Sequence, residues 1–325
     1  MKTKIVYVVT SDEKDVYLEQ ALLSVFSLRK HNPDAYVELV VDQDTNTTIV
    51  GKRGEILKYI DNKVVVNVPK EYNKRESSRF LKTNVRELVN GDYLYIDTDT
   101  IITDKLDDID LFDGDIGAVI NNHVPISQYY GSYATRVRRR AKQEGWKCTD
   151  DVPYFNGGVL YVKDTEIARH FCLDWHQEWK KTINEYGRYY DQTPLAFVNE
   201  KYNYIIKELS GEWNCQVLRM GLPYMHKAKI IHYFASNSDN RLAYVFGNKM
   251  IFYKIREQGF VSGDIADSVI NAKGAFVNPT RLCSPKELRF LSGAMAQACL
   301  RHQKLTKILN YFFRLLIKLR LISNV

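Results

Sequence analysis

The chain of 325 residues lacks several features that fix a protein's class at once. Its five cysteines (Cys148, Cys172, Cys215, Cys283 and Cys299) are scattered, with no Cys-x-x-Cys. That excludes a zinc knuckle and a disulfide framework, and it suits a reducing compartment. No run is long and uncharged enough to span a bilayer. The opening Met1-Lys2-Thr3-Lys4 leads into an apolar stretch too short for a signal peptide, so a cytoplasmic location is expected. Neither Gly-x-Gly-x-x-Gly nor a Walker A sequence occurs. Acid is absent after Glu287, while Arg289, Arg301, Lys304, Lys307, Arg314, Lys318 and Arg320 follow it. Those unopposed bases equal the whole formal net charge of +7, so the body is neutral and the tail basic. A nucleic-acid-binding protein carries its positive charge on the fold itself, so nucleic acid is not an expected partner.

What is present is an ordinary globular composition, with 45% hydrophobic and 26% charged residues, enough for a sizeable core. The length allows one large domain, or a domain with an extension. Apolar strands alternate with amphipathic helices from the start. Residues 4–9 read as a strand and 15–30 as a helix, ended by Asn32-Pro33-Asp34. Strand 36–41, a helix near 47–60, strand 64–68 and a basic helix near 75–89 follow. This alternation predicts an α/β fold with a mainly parallel sheet flanked by helices.

The stretch Tyr93-Leu94-Tyr95-Ile96-Asp97-Thr98-Asp99 ends a buried strand with two carboxylates. Side chains at i and i+2 of an extended segment share a face, so Asp97 and Asp99 converge. Such a pair is costly unless something positive sits between them, and a hard divalent cation is the natural partner. Thr10-Ser11-Asp12 after the first strand lies at the same sheet edge, where open α/β sheets bind nucleotides. The bland alternative is that the aspartates cap the next turn.

Further along, 127–145 is rich in tyrosine and arginine: Tyr129, Tyr130, Tyr133, Arg136, Arg138, Arg139 and Arg140. An arginine run is usually a solvated face. Here it also fits a lid or acceptor platform, since aromatic faces suit sugar rings and arginine suits phosphate. Phe155-Asn156-Gly157-Gly158 reads as a turn before a strand, Asp191 as a helix cap before Pro194, and His232 as a lone histidine at a strand end.

In order along residues 4–236, Thr10-Ser11-Asp12, Tyr95-Ile96-Asp97-Thr98-Asp99, Phe155-Asn156-Gly157-Gly158-Val159, Asp191-Gln192, Trp213-Asn214 and Ile231-His232-Tyr233 resemble glycosyltransferase family 8. The resemblance implies a Rossmann-like GT-A fold and a retaining transfer of a hexose from a nucleotide diphosphate sugar, usually UDP-linked. It implies Asp97, Asp99 and His232 as ligands to manganese, with magnesium the alternative. It places Thr10 and Asp12 at the uridine and Lys82 at the diphosphate, with Arg79 and Arg86 as rivals for that role. Asn156, Asp191 and Gln192 take the donor sugar, Gln192 nearest the anomeric carbon and Asp191 the fallback nucleophile. The family follows the histidine with a glycine and Lys-Pro-Trp; here the chain reads Tyr233-Phe234-Ala235-Ser236, leaving Arg241 or Lys249 to supply a base.

The expected organisation is a catalytic domain over 1–250, with a nucleotide-sugar half near 1–120 and an acceptor half near 121–250. A helical extension over 251–325 ends in a basic amphipathic helix at 304–322. That helix either packs on the catalytic domain or a dimer partner, or lies on the surface of an anionic membrane; the second reading places the protein peripherally on the inner face and makes a lipid-linked or lipopolysaccharide-type glycan the acceptor. Two rivals remain. One is a haloacid-dehalogenase-like phosphatase with Asp97 as nucleophile, because Ile96-Asp97-Thr98-Asp99-Thr100 matches its signature literally. The other is a sugar-nucleotide-binding scaffold without turnover.

Overall fold

The computed structural model describes residues 1–129, 132–149, 151–234, 245–277 and 285–319. In chain order the elements are β1 (Lys4–Val9), α1 (Tyr17–His31), β2 (Val37–Asp42), α2 (Gln43–Thr48), β3 (Asn62–Val66), α3 (Lys74–Thr83), α4 (Val85–Leu88), β4 (Tyr93–Ile96), β5 (Thr100–Ile102), β6 (Ile116–Ile120), α5 (Ser132–Glu144), β7 (Phe155–Val162), α6 (Glu166–Tyr186), α7 (Gln192–Lys201), β8 (Ile206–Glu208), β9 (Cys215–Gln216), β10 (Ile230–His232), α8 (Lys249–Gln258), α9 (Gly263–Ile270), α10 (Ala272–Val277), α11 (Pro285–Ser292), α12 (Ala294–Arg301) and α13 (Gln303–Lys318).

The large sheet runs β3-β2-β1-β4-β7-β6-β8. Strands β1 to β4 are parallel to one another, and β7 runs antiparallel to both β4 and β6. Both faces are covered, which is why β1 and β2 read as continuous apolar runs. In β1, Ile5, Tyr7 and Val9 join a core with Leu22 and Val25 of α1, while Val6 and Val8 join one with Leu81 and Trp175. That is the two-residue strand period at work. Beyond residue 250 the chain stays in the first of these cores, through Phe252, Ile255, Ile265 and Val269. A third, smaller core under α5 holds Val137, Ala141, Trp146 and Tyr154.

Parallel pairing of β1 with β4 brings Thr10 and Asp97 to the same end of the sheet. A second sheet, β5-β10-β9, sits beside that end. Its antiparallel register sets His232 opposite Thr100, one residue past Asp99. The backbone tightens the match, because Tyr233 N–H donates to the Asp99 carbonyl at 3.1 Å.

Several boundaries differ from expectation. The helix expected at 47–60 is two pieces, α2 and a 3₁₀ segment Gly51–Tyr59, divided where Gly51 adopts φ +53°. α2 already ends at its C-cap Ile49 in negative-φ backbone, and Gly51 takes the left-handed conformation that opens the 3₁₀ segment without steric cost. The helix expected at 75–89 breaks at Asn84 into α3 and α4. Within the helical extension, α11 and α12 are separated at Gly293, the N-cap of α12. Of the tail helix, α13 accounts for Gln303–Lys318; Arg320 and Ile322 lie outside the described residues, as do Tyr130, Arg241 and the stretch from Ala235.

Candidate functional site

The large strand β4 ends at Ile96, so Asp97 and Asp99 sit on the bend into β5 rather than on the pleat itself. Their convergence comes from the bend. Thr100 Oγ1 donates to the Asp97 carbonyl at 2.9 Å and also meets Ser24 Oγ, which in turn meets Tyr7. His232 Nε2 lies 3.2 Å from Asp99 Oδ1 and 4.0 Å from Asp97 Oδ2. One ligand atom from each of the three lies within 4.8 Å of the others. The lone histidine therefore has its partners.

The ring is held from behind. His232 Nδ1 and Asn214 Oδ1 are 3.1 Å apart, and Asn214 is fully buried. An amide oxygen only accepts, so Nδ1 donates to it, and this bond aims Nε2 at the aspartates. Three ligand atoms, two hard oxygens and one imidazole nitrogen, fit a divalent first-row ion.

A second group adjoins the first. Lys82, on α3, is buried, with Nζ 2.9 Å from Asp191 Oδ2 and 3.3 Å from Asp97 Oδ1. Arg79, one turn earlier, has Nε 3.3 Å from Asp191 Oδ1. Burial works against the Asp191 carboxylate, but Lys82 and then Arg79 outweigh it and hold it at about 2. Asp191 occupies the N-cap position of α7, yet its side chain makes no cap bond. The expectation of a cap is thus corrected, because the two cations take the carboxylate. Arg86 is elsewhere: it is buried against the Val89 and Gly91 carbonyls and near Asp164.

Asn156-Gly157-Gly158 is not a turn before a strand but part of β7, at a register shift against β6 between Ala118 and Val119. It floors both groups. A methyl on Gly158 would lie 2.8 Å from Asp97 Oδ2 and closer still to the His232 ring. A methyl on Gly157 would lie 3.3 Å from Asp191 Oδ2 and 3.4 Å from Lys82 Nζ. Only a bare backbone allows these side chains to approach so closely.

The amides form a directed chain. Asn214 Nδ2 donates to Asn156 Oδ1 at 2.9 Å, and Asn156 Nδ2 donates to Asn121 Oδ1 at 3.1 Å. Gln192 Nε2 donates to the same Asn121 oxygen at 3.2 Å and to the Phe155 carbonyl at 3.0 Å. His232 and Gln192 are thereby joined through three asparagines.

At the far side, Thr10 Oγ1 donates to the Lys74 carbonyl, while Lys74 Nζ reaches both Asp12 and Asp15 at 2.5 Å. The Lys74 hydrogen bond, against some desolvation, holds Asp12 at about 2. The predicted residues thus collect at one sheet edge, Thr10 and Asp12 at one end and Gln192 at the other. Asn121 and the supporting role of Asn214 were missed. Asn121 carries no local signal, since it acts on residues 35 and 71 positions away. Tyr95, whose hydroxyl donates to Asp97 Oδ1, was legible: it lies two residues upstream on the same strand face.

The family model described as glycosyl transferase family 8 matches residues 8–237, most of the chain. The chain belongs to glycosyltransferase family 8. Among solved structures, galactosyltransferase LgtC in complex with donor and acceptor sugar analogues is 17% identical, over 82% of this chain and 99% of that one, with a TM-score of 0.53. The apo form of mouse xyloside xylosyltransferase 1 is 13% identical over 71% of this chain and 97% of that one, at 0.48. No curated protein matches. The fold is GT-A: a mixed, mostly parallel sheet flanked by helices, with a helical C-terminal part. Family membership makes the protein a glycosyltransferase and leaves the phosphatase reading without support. A dehalogenase-like nucleophile belongs on the first strand of its core, whereas Asp97 follows the fourth.

Proposed function

We propose that this family 8 enzyme moves a hexose from a UDP-sugar to a glycan or lipid-linked acceptor, with retention of configuration, and that it depends on manganese. The observation carrying the proposal is the Asp97–Asp99–His232 trio set beside buried Lys82 over a glycine floor. In this reading the three ligands hold the ion, and when bound it supplies Lewis-acid stabilisation to the leaving diphosphate. Lys82 Nζ, anchored by Asp97 and Asp191, presents a second positive charge to the same phosphates. Thr10 and Asp12 take the base, with Lys74 fixing the Asp12 carboxylate.

Asn156 and Asp191 hold the donor sugar. Gln192 uses its Nε2 on Asn121 and Phe155, which turns Oε1 toward the anomeric side. An amide is a poor nucleophile, and Asp191, clamped by two cations at about 2, is a weakened one. Same-face attack is therefore favoured, with the departing phosphate oxygen taking the acceptor proton and Gln192 positioning the reacting carbon.

For the acceptor, α13 leaves Ile308, Tyr311, Phe312, Phe313 and Leu315 exposed beside the basic residues of the tail. No described helix is long and apolar enough to cross a membrane. A peripheral helix on an anionic surface fits both facts and favours a lipid-linked acceptor. The test is UDP release from a panel of UDP-sugars with manganese, with D97A and D99A as controls. Slow hydrolysis of one donor, lost in EDTA and in both variants, is the expected result. Silence across all donors, with no UDP–manganese binding by calorimetry, would sink the assignment.

A further inference from the structure

Several arginines among the described residues of the body are matched to a carboxylate. Arg29 pairs with Asp61, Arg53 and Arg256 with Glu19, Arg79 with Asp191 and Arg169 with Asp164. Around the mouth of the site the pattern changes. Among the described residues Arg75, Arg140 and Arg219 make no ion pair with a carboxylate; each lies against an aromatic ring instead. Arg140 sits 3.7 Å from the Tyr190 ring centre and Arg75 5.7 Å from that of Tyr189, whose ring stacks on Tyr190 at 4.6 Å. Arg219 lies between Tyr133 at 5.3 Å and Phe234 at 5.8 Å.

These rings tie the cations to the chemistry. Tyr189 and Tyr190 lead directly into Asp191 and Gln192. Phe234 stacks on His232 at 3.9 Å. The Tyr133 hydroxyl accepts from Asn121 Nδ2 at 3.3 Å, and Asn121 in turn accepts from Gln192. Arg136, one turn before Arg140, adds to the same field. Burial, and then the charges of Arg301 and Arg140, push it below its usual range. Like charges gathered in this way are unfavourable unless an anion relieves them, and buried Glu144, which feels the charge of Arg140, answers only part of it. An arginine stacked on a ring keeps its fork pre-oriented for two-point contact with phosphate or carboxylate.

We infer that the acceptor is an anionic glycan, carrying a phosphate or carboxylate within about one sugar of the reacting hydroxyl, and that Arg140 and Arg219 bind that group. A solvated arginine face accounts for Arg138 and Arg139, which are exposed, but not for cations laid on rings at the site mouth. The inference rests on the acceptor side of the proposed transfer reaction and names its substrate class.

The test compares three acceptors that differ in one group: a neutral methyl hexoside, its 6-phosphate and its 6-carboxylate. UDP release by the full chain reports transfer, and saturation-transfer NMR reports binding without turnover, in the presence of manganese and UDP. An anionic acceptor should exceed the neutral one at least about tenfold in kcat/KM and in affinity, with R140Q and R219Q each cutting the preference to within about threefold. R169Q, remote from the mouth, should retain it. The phosphate and carboxylate arms separate a phosphorylated sugar from a uronic acid. Equal binding of the three sugars by the wild type overturns the inference, and so does a preference that survives both variants. Anion-selective binding with no UDP release from any donor would uphold the anion site and count against the transferase reading, so the two failures are distinguishable.

Discussion

Two carboxylate groups stand side by side in this site, and their countercharges come from different sources. Asp191 has its cations built in: buried Lys82 on one oxygen and Arg79 on the other. Asp97 and Asp99 share a neutralising partner only in part. Lys82 touches Asp97 at 3.3 Å, and His232 aims Nε2 at both, nearer to Asp99. Asp97 and Asp99 also keep about a fifth of their side-chain surface open, against a tenth for Asp191. One group is complete as folded. The other could hold a metal ion between its ligand atoms. Fixed charge belongs where orientation must not change, and an open ligand set belongs where an ion enters with its substrate.

The largest effect should come from removing the open group. D97A and D99A should each lower manganese-dependent UDP release by roughly a thousandfold or more, while thermal unfolding shifts little. A variant that kept more than a tenth of its activity would break the distinction between the groups.

Removing the built-in cation should act on stability as well. K82M leaves Asp191 buried beside Arg79 alone and should cost about 3 kcal/mol in urea unfolding. The double variant K82M D191L should recover most of that stability yet remain inactive. Recovery of activity together with stability would show that Lys82 serves the fold and not the phosphates.

The support behind the open group is weaker and should read out as affinity. N214L removes the acceptor at His232 Nδ1 and should weaken manganese binding by about ten- to a hundredfold in a metal titration. Unchanged affinity would mean that ring packing against Phe234 suffices to hold the histidine.

The smallest effect concerns α5, outside both groups. Glu144 is buried, 3.7 Å from Arg188 and beside Thr193. Burial raises its pKa from the usual 4.5 to about 7. The folded state therefore holds this proton more tightly than the unfolded chain does. Stability from this group is greatest below about pH 4.5, falls as pH rises toward 7, and is flat above. E144Q should remove that slope, leaving the two proteins closest at low pH and the variant the more stable at pH 8. Parallel stability curves for the two proteins across this range would refute it.

Much of this was written locally in the sequence. Strand periodicity gave β1 to β4 and their parallel order, because burial of both faces demands continuous apolar runs. The aspartate pair was legible as a short run whose chemistry differs from its surroundings, whereas Asn156-Gly157-Gly158 read locally as a turn and Asp191 as a cap. Helix ends were less so: Asn84 and Gly51 break segments whose propensities alone would continue them.

What only the tertiary structure decided is who neutralises whom. Sequence presented His232 as a lone histidine and Asp191 as a helix cap. Pairing of β10 with β5 gave the histidine its aspartates, and packing of α3 beside α7 gave Asp191 its lysine. Three basic residues stood as rivals on one stretch, and the fold separated them, turning Arg79 and Lys82 to the site and Arg86 into the interior. The physical reason is range. Propensity and hydrophobic period act over a few neighbours along the chain. Charge pairing and the asparagine relay act across gaps of a few ångströms between residues tens of positions apart, and only the completed sheet brings those residues together.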